Sequence, residues 1–146
     1  MTMTSPKNQA EALMNDLLPF AKQMLAEHGE FYPYGGFMRS DGSIVHVGAK
    51  HPATRHPPSV DLLDILKQGL RENADDEKMI AAAIVADVRV IPPDTGKKSE
   101  AIQVTVEHRD SYCADVFFPY RLDESHKPEF GKVFAQAGER SIFTHG

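Results

Sequence analysis

The sequence predicts an α+β domain, a mainly antiparallel sheet of about five strands with two helices packed on one face. Three observations carry this. Two segments show helical apolar spacing, three later segments alternate apolar and polar residues at period two, and an Asp-Gly pair marks a hairpin between them. The resulting order, α-β-β-α-β-β-β, lacks the βαβ alternation of a doubly wound fold, and no Gly-rich phosphate loop follows a strand. The 146 residues suit a single domain spanning 1–146, with residues 1–5 frayed.

The first helix opens at Ser5-Pro6, an N-cap followed by a proline at a position that needs no N–H donor. Ala10, Leu13, Leu17, Phe20, Ala21, Met24 and Leu25 keep helical spacing to about His28, and Gly29 is the stop signal. Pro19 interrupts the pattern, so either the helix kinks there or two shorter helices meet. The aromatic run Phe31 to Met38 then reaches Asp41-Gly42. A two-residue loop at that pair would set Met38 opposite Val45 and Phe37 opposite His46. Gly35-Gly36 inside this strand reads as a bulge or a bend.

Residues 50–58 hold three prolines and two histidines and read as a surface loop. Ser59 caps the second helix, whose apolar face is Val60, Leu62, Leu63, Ile65, Leu66 and Leu70, with Asp61 and Asp64 favouring its N-terminal dipole. After a short acidic turn, Met79 to Ala83 is helical by propensity, and the β-branched run from Ile84 to Ile91 is a strand. Alternation assigns core faces to Ile84, Ala86, Val88 and Val90, to Ile102, Val104 and Val106, and to Ala114, Val116, Phe118 and Tyr120. Joining the last two sets across the turn Arg109-Asp110-Ser111 pairs Val106 with Ala114, Val104 with Val116 and Ile102 with Phe118. A slip of one residue would set Val106 against Asp115, so the pattern selects the register. Val133 to Ala135 and Ser141 to Phe143 are further short strands.

Composition bounds the function. With 41% hydrophobic and 25% charged residues the chain is of ordinary globular type. The lone Cys113 excludes an intramolecular disulfide and any Cys-based zinc motif, which fits a reducing, cytoplasmic setting. The start of the chain shows no apolar leader, and the longest apolar run, Met79 to Ala86, is too short to span a bilayer. A net charge of −5 disfavours nucleic acid. The expected partner is another protein or a second copy, and no cofactor is implied.

Among the seven histidines, His46, His51 and His56 are the metal candidates. Steps of five turn a side chain by about 140° on a helix and reverse its face on a strand, so a folded loop would have to bring them together. Asp87, Glu107 and Asp115, with Arg89 and Thr105, share the sheet face away from the assigned core and are the acid/base candidates; an antiparallel sheet's wet face has the same look. Cys113 lies on that face with no cysteine-nucleophile signature around it. Val85, Ile91 and Phe117 share its parity too, and form an apolar patch to be covered by a partner, a second copy, or the chain's own Phe130, Phe134 and Phe143.

The run Glu30 to Gly36 after an amphipathic helix, then Glu107-His108-Arg109-Asp110-Ser111-Tyr112 and Phe118-Pro119-Tyr120, resembles a group of small bacterial proteins of unassigned activity. Some of their relatives are thought to act as immunity proteins that neutralise toxin domains. The resemblance implies a bacterial cytosolic protein that binds another protein, and it transfers no catalytic residue. Two classes follow: a non-catalytic protein-binding or self-associating module, and a small metal-dependent or acid/base enzyme acting on a small molecule.

Overall fold

Helix α1 (Pro6–His28) forms as its end signals require: Ser5 Oγ accepts the Asn8 N–H at 3.0 Å, and Gly29, with φ of 75°, closes the C-terminus by donating its N–H to the Leu25 carbonyl at 2.9 Å. The computed structural model describes residues 5–48, 59–74, 78–110, 112–125 and 127–143. One helix runs through Pro19. Pro19 lies on the exposed side of the helix, as does Asn15, whose carbonyl loses its donor to the proline. On the buried side of the same turn, the Tyr34 hydroxyl donates to the Leu17 carbonyl at 2.6 Å and accepts the Ala21 N–H at 3.0 Å. A side chain from the sheet thus supports the backbone where the proline weakens it.

Strands β1 (Tyr34–Arg39) and β2 (Ile44–Val47) form the expected hairpin with a different loop. Arg39 donates to the Ser43 carbonyl at 2.8 Å, Gly42 donates to the Arg39 carbonyl at 2.9 Å, and Gly42 has φ of 89°. Three residues therefore form the loop, with glycine third in the left-handed conformation. This moves the register by one, to Phe37 opposite Val45 and Met38 opposite Ile44. Met38 lies in the α1 core.

Helix α2 (Ser59–Asn73) precedes β3 (Met79–Val90), β4 (Ser99–His108) and β5 (Cys113–Leu122). Met79 to Ala83 is strand, against its helical propensity. β3 lies between β1 and β4 and is apolar on both faces, so tertiary burial decides the conformation. The β4–β5 register is the expected one, including Val104 opposite Val116, and His108 donates to the Tyr112 carbonyl at 2.7 Å to close the turn. Ser111 lies outside the described residues.

The short strands β6 (Pro128–Phe130) and β7 (Phe134–Ala137) both pair with β5, giving a seven-stranded antiparallel sheet ordered β2-β1-β3-β4-β5-β6 with β7 beside β6 on the β5 edge. The α+β class holds, whereas the placement of both helices on one face does not. α1 packs Leu13, Leu17 and Leu25 on Ala83, Val85, Val104 and Val106, while α2 packs Leu66 and Leu70 on Met79, Ala82 and Ile84 with Ile142 and Phe143. The expected face of β3 was inverted: Val85, not Ile84, pairs with Val104 under α1. Ser141 to Phe143 is a strap over the α2 face rather than a strand. No helix among the described residues is long and apolar enough to cross a membrane.

Candidate functional site

At the end of β4, period-two alternation sends Glu107 to the α2 face and His108 to the α1 face. Both are buried. The Glu107 carboxylate accepts three successive backbone N–H groups: Ser141 at 2.8 Å, Ile142 at 3.2 and 3.1 Å to its two oxygens, and Phe143. Such an arrangement replaces lost hydration group by group, which is what lets a carboxylate sit inside a fold. His108 Nε2 lies 2.7 Å from Gln9 Oε1 on α1, while Nδ1 accepts the Asp110 N–H at 2.9 Å. These partners place the proton on Nε2 of a neutral ring, and burial, foremost, lowers its pKa.

Arginines complete the junction. Arg109 Nη2 donates to the Ala74 carbonyl at 2.7 Å, and Arg71 Nε donates to the Ser141 carbonyl at 2.9 Å. Arg140 Nε donates to the Phe143 carbonyl at 3.0 Å, and its Nη2 donates to the carbonyls of His108 and Arg109, each at 3.2 Å. The run from Glu107 to Asp110, prominent in the sequence, is thus the place where sheet, both helices and C-terminal strap are tied together.

The acid/base trio is not brought together. Asp87 lies on the α1 face beside Ile102, where Tyr120 Oη donates to its Oδ1 at 2.7 Å. Burial raises its pKa against that hydrogen bond, and Glu100 and Glu30 push the same way as burial. Asp115 is on the opposite face and accepts from Thr105 Oγ1 at 2.7 Å. The inverted parity of β3 separates these two, and Glu107 is occupied by the strap. Asp115 instead joins Lys67, Thr105 and Glu139 around a cleft of about 360 Å³ with Leu63 and Ile84 among its lining.

The surroundings of Cys113 disfavour its thiolate. Burial, with Glu107 and Asp115 adding, pushes its thiol up to about 11. Thiolate supplies the reactivity, so at pH 8 its modification by a thiol-disulfide reagent is expected to run roughly two orders of magnitude slower than that of an ordinary cysteine. The rate is expected to climb as pH rises towards 11. A rate at pH 8 matching a free cysteine would contradict this placement.

His46 Nε2 is 2.8 Å from Asp16 Oδ2 on α1, with both side chains half-exposed, while His51 and His56 lie outside the described residues. Among the described residues no three His, Cys, Asp or Glu side chains are grouped to hold a metal ion.

The apolar patch is likewise dispersed. Val85 has no exposure, being inside the α1 core, whereas Ile91 is 60% exposed beyond the end of β3. Phe117 is buried by the chain itself, stacked on Phe134 with ring centroids 4.9 Å apart and 15° between the planes. What the face reading missed is the outer edge of β7. Gly138 donates to the Cys113 carbonyl at 3.2 Å, which continues the pairing of Gln136 with Asp115 and Phe134 with Phe117. By alternation, the N–H and C=O groups of Ala135 and Ala137 point away from β5, and both residues are exposed. Ala135-Gln136-Ala137, in an uncharged run between Lys132 and Glu139, was the available signal. The chain matches no protein-family model, no curated protein and no solved structure.

Proposed function

We propose that this domain is a non-catalytic protein-binding module that self-associates by strand addition along β7. The observation supporting it is the open β7 edge: four residues without charge or proline, whose backbone donors and acceptors at Ala135 and Ala137 meet no other strand among the described residues. Natural sheets usually blunt such an edge with charge, proline or a covering element. A second copy fits it. Antiparallel pairing about a two-fold at Ala135 sets Val133 against Ala137 and Phe134 against Gln136, so no like charges meet across the strands. The partner proposed from the resemblance to immunity proteins, a different protein met in the bacterial cytosol, would use the same edge. The enzyme alternative has less support, since its acids lie on different faces and Glu107 is engaged.

Proline scanning tests the proposal. Ala135→Pro removes an outward N–H and leaves the bonds to β5, so the monomer fold should keep its thermal midpoint within about 3 °C. Gln136→Pro removes an inward N–H and should destabilise the β5 edge. Light scattering over a range of concentrations should show wild-type dimers and Ala135→Pro monomers. Wild type that remains monomeric throughout, or an Ala135→Pro variant that dimerises equally well, would sink self-association through β7.

A further inference from the structure

Although the chain carries a net charge of −5, one end of its sheet is basic. The β3–β4 connection and the turn after β6 enclose a groove of about 340 Å³, floored by Pro119, Tyr120 and Phe130. Lys97, Lys98, Arg121 and Lys132 stand around it, together with Asp94 and Glu129. Glu129 is engaged by Arg121 at 3.2 Å. Lys97, Lys98 and Lys132, by contrast, have no ion pair within 4.0 Å among the described residues. Two further concavities adjoin it, one of about 450 Å³ that includes Lys98, Arg121 and Glu100, the last paired with Arg89, and one of about 260 Å³ that includes Lys132 and Phe134. The groove is therefore positive, and the rest of the chain is more negative than the whole.

We propose that this groove binds an acidic peptide segment of a partner protein. Three compact ammonium groups around an apolar floor match carboxylate side chains interspersed with apolar ones. A nucleic acid strand fits less well, because its continuous phosphate charge would extend from a short basic groove over a negative surface. The groove adjoins the start of β7 at Lys132 and Phe134, whereas Lys97 and Lys98 lie on the β3–β4 connection away from that edge, and Ala135→Pro alters none of its charges.

The test is fluorescence anisotropy on the full chain, using a labelled twelve-residue peptide of Glu-Glu-Leu repeats at low and physiological salt. Binding should weaken as salt rises. The triple variant Lys97→Glu, Lys98→Glu, Lys132→Glu should bind about tenfold more weakly or worse, and Lys132→Glu alone should lose a smaller factor, with both variants checked for an unchanged thermal midpoint. A control carrying Lys7→Glu and Lys67→Glu should retain most of the affinity. A loss per substituted charge as large in the control as in the triple variant would assign binding to net charge and overturn the proposal. So would failure of the peptide to bind, or binding of an oligothymidylate or of inorganic phosphate in its place.

Discussion

Replacing Glu107 by Ala is expected to remove about 3–5 kcal/mol of stability, a large part of what a domain of this size usually has. The carboxylate accepts the N–H groups of Ser141, Ile142 and Phe143 inside the protein. Removing it leaves three donors without an acceptor, each costing about 1–3 kcal/mol if it remains buried. Release of the strap limits the loss by hydrating those donors, but it uncovers Ile142 and Phe143 and the α2-face residues beneath them. Glu107→Gln should recover only part of the loss. It keeps one acceptor oxygen and turns an amide N–H₂ towards a backbone donor. Urea denaturation of wild type, Glu107→Ala, Glu107→Gln and a chain ending at Gly138 should rank wild type first, the glutamine variant next, and the alanine variant close to the truncation. An alanine variant within about 1 kcal/mol of wild type would mean that the strap is held by its side chains alone.

The sequence exposes some of this organisation and conceals the rest for physical reasons. Val104, Val106, Ala114 and Val116 alternate with Thr105, Glu107 and Asp115, and the β4–β5 register follows because only one alignment keeps the apolar set together. No equivalent contrast exists in β3. Ala81 to Ala86 are buried whichever way they point, with α1 on one face and α2 with the strap on the other. Its parity is therefore invisible to alternation, and that one inversion misplaced Val85 and Asp87 together. Glu107 illustrates a different limit. Polarity marked it for a wet face, but three donors from 34–36 residues further on make it a buried anchor. Period two places the side chain on the correct face; it carries no information about which distant segment returns to cover it.

Gly35→Ala should be the second severe substitution, and the same change at Gly69 should have the opposite sign. The glycine pair in β1 reads from sequence as a bulge or bend, yet both residues lie in paired strand, Gly35 opposite Val47 and Ile84. Glycine is needed here because backbones come close. A Cβ on Gly35 would stand 2.6 Å from the Ala83 carbonyl oxygen, and one on Gly36 would stand 2.8 Å from both Leu17 Cδ2 and the Val45 oxygen. Ala83 belongs to the central strand and has no exposure, so its carbonyl cannot retreat without disturbing pairing on both sides. Alanine's smaller entropy loss on folding returns about 0.5–1 kcal/mol, well below the expected strain of about 3 kcal/mol or more. Gly69 lies within α2, and a Cβ there meets nothing within 4 Å. Gly69→Ala should therefore stabilise by up to about 1 kcal/mol through helix propensity. Chemical denaturation of the two variants beside wild type decides the matter: a Gly35→Ala protein of wild-type stability would show that β1 and β3 do not approach this closely.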